Sequence, residues 1–174
     1  ASFATTPDAG NPFTGSMTTL TIASALVHPG WTGDFNLVGN DLAVLTLASV
    51  APAQIPRYSL YSGNADVGAV FTKVGWGTTG NGLSAATGPI EWRVGQNLYD
   101  TNQSFIETTG PSSILVYDFD DGTVAHDLLS RFGYSDLGLG TQESMIGLGD
   151  SGGPSFINGH IAGVTSFRWS FGVG

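Results

Sequence analysis

The sequence contains no cysteine, so neither a disulfide nor a cysteine-ligated zinc site can hold it together. Charge is scarce as well: Asp, Glu, Lys and Arg make up 11% of the chain, against about 25% in an average domain. The charge present is one-sided, with 14 acidic residues against 5 basic ones and a formal net charge of −9. That balance speaks against a nucleic acid or an anionic lipid surface as partner, because both are attracted by basic fields. No apolar run approaches the roughly 18 residues of a membrane helix, so no membrane span is expected in this chain. An initiator Met and a basic, apolar leader are also missing, and Ala1 reads as a cut rather than a beginning.

What the chain has in excess is glycine, 26 of 174 residues, about twice the usual share of roughly 7%. High glycine with low charge suggests short strands joined by tight turns. The hydrophobic period is mostly two, as strands require. Leu20, Ile22, Ser24 and Leu26 share one face, and Leu42 to Leu47 (LAVLTL) reads as a buried strand. Val70, Thr72, Val74 and Trp76 alternate, as do Ile90, Trp92, Val94 and Gln96. Ile114 to Phe119 and His160 to Phe167 are further strand candidates. Turn signals are dense, among them HPG at 28–30, GTTGNG at 77–82 and NG at 158–159. One helix is expected, from Thr123 as N-cap to Gly133 as the stop. The stretch SVAPAQIPRYSL at 49–60 has two prolines and no period, and reads as a linker. The reading is an all-β protein in two parts.

Near the end stands GLGDSGGPSF, residues 147–156. Gly149-Asp150-Ser151-Gly152-Gly153 satisfies G-x-S-x-G, but an α/β-hydrolase elbow requires a helix after the serine and an acid and histidine downstream in that order. Pro154 is followed instead by SFING and another strand, so an esterase of that class is disfavoured. The hexapeptide GDSGGP resembles the active-site loop of the trypsin/chymotrypsin-like serine proteases. Three other stretches agree in order: VHPGW then NDLAVLTL (27–31, 40–47), VGWGTTG (74–80) and HIAGVTSF (160–167). The segment 90–140 is similar to that of some bacterial members and departs from the animal enzymes.

The resemblance implies an all-β, two-barrel chymotrypsin-like architecture. Residues 1–48 would be the remainder of the N-terminal barrel, 49–62 the inter-barrel linker and 63–174 the C-terminal barrel. It implies that Ser151 is the nucleophile, that the N–H groups of Gly149 and Ser151 form an oxyanion hole, and that Asp41 is the buried carboxylate orienting the base. Asp150 would be a buried acid in need of a cationic partner, usually a freshly cut N-terminus. Six residues before the nucleophile, Met145 would floor the primary substrate pocket, with Ser166, Phe167 and Arg168 as its wall. A thioether cannot pair with a substrate cation, so cleavage after apolar or small residues is expected, with acidic residues second.

The chain has three histidines, His28, His126 and His160. His28 precedes proline, and its His-Pro-x-aromatic run resembles a surface strand end of the family. His126 and His160 follow Asp41, the wrong side for the chain order His, Asp, Ser. None is expected to be the base, and no Ala-Ala-His occurs. The expectation is a fragment of a longer, secreted serine endopeptidase, lacking the base and the family's C-terminal helix. An inactive protease homologue acting as a binding module is the alternative. Asp118, Asp120 and Asp121 in YDFDDGT are a weak calcium candidate, since hard oxygens suit that ion. Their spacing is not that of an EF-hand, and a solvated acidic loop is the simpler reading. No cofactor is expected. The partner expected is a polypeptide substrate, and no oligomeric state is legible.

Overall fold

A computed structural model describes residues 2–4, 17–34, 39–81, 87–107 and 109–169. Ten strands carry it: β1 (Ser2–Ala4), β2 (Met17–Thr19), β3 (Ile22–Val27), β4 (Ala43–Leu47), β5 (Val70–Gly77), β6 (Glu91–Leu98), β7 (Thr101–Asn102), β8 (Leu115–Val116), β9 (Pro154–Ile157) and β10 (His160–Val164). Every pairing between them is antiparallel, in the order β10-β9-β5-β6, with separate pairs β1-β2, β3-β4 and β7-β8. A single helical turn, Gln103–Ile106, and two short 3-10 turns complete the regular structure. The all-β expectation therefore holds among the described residues.

Strand β5 is the centre of the largest sheet. It pairs with β6 over all eight of its residues, from Val70↔Leu98 to Gly77↔Glu91, and with β9 at Thr72↔Phe156 and Lys73↔Ser155. The buried face of β5 is not the one its apolar alternation marks. Val70 and Trp76 are exposed, while Phe71 and Lys73 are buried. Phe71, Tyr99 and Ile157 form the core, with Tyr61, Leu115, Tyr117 and Ala162 packed against it. The Phe71 and Tyr99 rings stack at 4.0 Å, and Tyr117 meets Phe71 edge-on at 4.9 Å. Aromatic side chains thus supply most of the apolar area in a small core. The Tyr99 hydroxyl is hydrogen-bonded to Ser155 Oγ at 2.5 Å. A Cβ on Gly163 would lie 2.8 Å from Ser155 Oγ and 3.0 Å from Tyr99 Oη, and the β9–β10 register shifts beside this glycine.

Three expectations need correction. The Leu42–Leu47 strand is not buried: β4 pairs with β3 alone, and Leu26 and Val44 are 70% and 62% exposed. The helix expected from Thr123 to Gly133 is reduced to a 3-10 turn, Leu129–Phe132, stopped by Gly133 at φ 84°. Side chains take the N–H groups along this segment: Asp121 accepts from Thr123, Asp118 from Leu128 and Leu129, and Asp127 from Ser130. Such local bonds favour successive turns over a continuous helix. The strand expected at Ile114–Phe119 shrinks to Leu115–Val116. The 49–62 segment contains no extended strand, but Leu60 bridges to Ile161 of β10.

Phe71→Ala should lower the unfolding free energy by about 3–5 kcal/mol. Leu26→Ala, at a 70% exposed position, should change it by less than about 0.5 kcal/mol. Urea unfolding followed by fluorescence checks both, and equal losses would show that the aromatic cluster is not the core.

Candidate active site

The 147–153 turn is shaped by glycine and pressed onto β5. Gly149 and Gly152 have φ of 106° and 82°, conformations that side chains disfavour. A Cβ on Gly149 would lie 2.7 Å from the Trp76 carbonyl oxygen, and one on Gly153 2.6 Å from that of Val74. Within the turn Asp150 N–H donates to Gly147 O at 3.3 Å, and four further backbone bonds hold it. Thr78 N–H donates to Leu148 O at 2.9 Å, Gly152 N–H to Thr165 O at 2.8 Å, Thr165 N–H to Gly153 O at 2.9 Å, and Gly153 N–H to Asp150 O at 2.9 Å. Pro154 then opens β9, a strand position that tolerates its missing N–H. Ser151 is left exposed at the tip. Among the described residues, the N–H groups of Gly149 and Ser151 donate to no protein acceptor.

Asp150 points the other way, onto the inward row of β5. Its Oδ2 accepts from Gly147 N–H at 2.7 Å. A Cβ on Gly75 would fall 2.0 Å from Asp150 Oδ1, and one on Gly77 2.5 Å from its Cγ. The row Phe71, Lys73, Gly75, Gly77 therefore combines core, cation and cleared space along one strand face. Lys73 was not singled out by its sequence. It is 8% exposed, donates to the Ser144 carbonyl and to Tyr117 Oη at 3.4 Å, and lies 4.8 Å from the Tyr117 ring centroid. Burial lowers its ammonium to about 7, while the negative charges of Asp150 and Glu143 pull it back up. The signal that points to Lys73 is its phase: it shares a face with Phe71, whereas surface lysines of a half-buried strand sit opposite the core.

Asp41 and Ser166 meet. Ser166 Oγ donates to Asp41 Oδ2 at 2.6 Å, across 125 positions of sequence. Gly39 and Asn40 precede Asp41 with φ of 62° each, a left-handed pair that steers the chain into β4 and that Asn tolerates better than most residues. Asp41 itself is exposed, a correction to the expected burial, because the β3–β4 hairpin carries it outside the core. Ser166, expected as pocket wall, spends its hydroxyl on this carboxylate. A cavity of about 580 Å³ has Met145, Ser166, Phe167 and Arg168 in its lining, and it extends to His28 and Asp41. Ser151 is not part of that lining. Arg168 Nη1 donates to Ile146 O at 3.4 Å, which ties the pocket's two walls together.

The histidines are engaged elsewhere. His28 Nδ1 accepts from Gly30 N–H at 3.1 Å, His160 Nδ1 is 2.7 Å from Ser59 Oγ, and His126 Nδ1 is 2.9 Å from Asp121 Oδ2. Among the described residues none hydrogen-bonds to Ser151. The acidic loop divides in two. Asp121 is an exposed partner of His126, and hydrogen bonds from Thr123 and His126 hold its carboxyl below the usual range. Asp118 and Asp120 are 3% and 5% exposed, so the solvated-loop reading fails for them. The third carboxylate of their cluster is Glu143, not Asp121.

No protein-family model matches the chain, and no curated protein sequence does. The fold is similar to that of neuropsin, a serine protease expressed in the limbic system of mouse brain. The two agree with a TM-score of 0.62 at 16% sequence identity, over 87% of this chain and 60% of neuropsin. The chain thus has a chymotrypsin-like fold and spans about 60% of that solved protease.

The clearance over β5 is testable on its own. Gly75→Ala should push Asp150 off the strand, lower the melting temperature by several degrees and increase proteolytic cleavage within 147–153. A variant with unchanged melting and cleavage would show that the Asp150 contact does not hold the turn.

Proposed function

We propose that this chain carries the nucleophile-bearing part of a serine endopeptidase. The observation that carries the reading is the 149–151 turn: an exposed serine hydroxyl beside two backbone N–H groups that no protein acceptor among the described residues uses. Donors placed where an oxyanion develops are worth about 2.7–4 kcal/mol each in acyl transfer. Their geometry is set before substrate arrives, because Gly149 and Gly153 are clamped against β5.

In this reading Ser151 Oγ attacks the scissile carbonyl and gives its proton to a base. The C–N bond then breaks, the base returns the proton to the leaving amine, and water hydrolyses the ester by the same steps in reverse. The base is none of the three histidines here, so it comes from a part of the protein outside these 174 residues. Asp41 is its orienting partner. Oδ2 is fixed by Ser166, and the exposed side of the carboxylate is free to receive an imidazole N–H. The 580 Å³ cavity takes the substrate side chain, with Met145 on its lining. A thioether leaves a substrate cation unpaired, at a cost of several kcal/mol.

Two outcomes are expected. The 174-residue chain should react slowly with a fluorophosphonate and hydrolyse no ester substrate, while the protein extended to include its base should be labelled rapidly at Ser151. In that longer protein, Ser151→Ala and Asp41→Asn should each lower kcat by about 10⁴ or more with little change in substrate binding. Turnover retained by Ser151→Ala would overturn the nucleophile assignment. Peptide-library profiling should show cleavage after apolar or small residues, with acidic residues second, and a dominant Lys or Arg preference would overturn the role of Met145.

A further inference from the structure

Beside the cavity, which Asp118 helps to line, four carboxyl groups are gathered; Lys73 feels the charge of Glu143, but no Lys or Arg forms an ion pair with any of the four among the described residues. Asp118, Asp120 and Glu143 bring one oxygen each within 4.8 Å of one another. Each is also anchored by the backbone. Asp118 Oδ2 accepts from the N–H groups of Leu128 and Leu129 at 2.9 and 3.0 Å, and Asp120 Oδ1 from Gly122 N–H at 2.7 Å. Glu143 Oε1 accepts from Leu139 N–H at 3.0 Å. Its Oε2 accepts from Asp120 N–H at 3.0 Å and Asn97 Nδ2 at 3.5 Å. Asp100, 2% exposed, holds the Asp118 N–H from below at 3.1 Å. Asp120 Oδ2 differs from the other oxygens of the cluster: it is fully buried, in a residue only 5% exposed, and has no hydrogen-bond partner among the described residues. A carboxylate oxygen buried without a donor is costly, and buried charges in proteins are paired or ligate metals.

We propose that Asp118, Asp120 and Glu143 form a binding site for one calcium ion, with Asp120 Oδ2 among the ligands. Three carboxylates are hard oxygen donors, which select calcium or magnesium over softer metals. Calcium is the better match of the two: the three oxygens lie within 4.8 Å of one another, inside the reach of one calcium ion, and calcium accepts irregular donor geometry where magnesium demands a near-ideal octahedron. Glu143 adjoins Ser144, whose carbonyl receives Lys73, and Met145 of the pocket. Bound calcium therefore fixes the segment that enters the 147–153 turn. The site does not depend on the protease reading.

The test is a titration of the EDTA-stripped protein with calcium chloride, by calorimetry and by thermal unfolding, with terbium luminescence sensitised through Tyr117 as a second probe. One equivalent should bind, and the melting temperature should rise. Asp120→Asn, nearly isosteric, should weaken binding at least 30-fold while keeping the wild-type near-UV circular dichroism, and Glu143→Gln should do the same. Asp121→Asn should bind as wild type. No calcium binding to the wild type at millimolar concentration overturns the proposal. So does unchanged affinity in Asp120→Asn, or a loss confined to Asp121→Asn.

Discussion

One steric constraint shapes the region around Ser151: a carboxylate lies where the side chains of two β5 residues would be. Asp150 occupies the space over Gly75 and Gly77, so the strand must lack Cβ atoms at alternate positions for the turn to close. That requirement explains why the second half of β5 is glycine-rich although glycine weakens a strand interior. It also explains why the apolar residues of that half, Val74 and Trp76, fall on the other face. Asp150, held inward, turns the chain so that Ser151 faces outward one residue later. Half-burial of the acid and exposure of the hydroxyl are two results of one close approach.

Lys73 extends the same row toward the core. Its position couples three regions that are distant in sequence: the aromatic cluster through Tyr117, the approach to the turn through Ser144, and the acids through Glu143 and Asp150. A buried ammonium is tolerated because hydrogen bonds and an aromatic face offset part of its lost hydration. The interior of this sheet is therefore not a uniform apolar filling. It grades from stacked rings at one end, through a cation, to a carboxylate over bare backbone at the other.

The sequence made three of the four strands of the large sheet legible, all but β9, and the GDSGGP turn with them, because alternation and a glycine-rich hexapeptide are local signals. It placed Asp41 and Ser166 in separate roles, and no local pattern records that their side chains meet 125 positions apart. The acidic loop shows the limit most clearly. Three aspartates within four positions look alike as text, yet two are buried and one is exposed, because Leu128, Leu129 and Glu143 fold back over the first two. The expected helix failed for the same reason. Its N–H groups were claimed by carboxylates whose direction is set by the tertiary fold. The burial expected of LAVLTL failed because an apolar run reports the wish to be covered and not what covers it.

The Asp41–Ser166 hydrogen bond also has a kinetic meaning. Closing a loop of 125 residues costs about 4 kcal/mol of chain entropy by the logarithmic rule, more than a single hydrogen bond returns. The bond cannot therefore guide the early search. The β3–β4 and β5–β6 hairpins close over connections of 15 and 13 residues, 28–42 and 78–90, at about 2 kcal/mol each by the same rule. The hairpins can thus close locally, whereas the meeting of Asp41 and Ser166 depends on the packing of the elements that carry them, and is a consequence of that packing and not its cause.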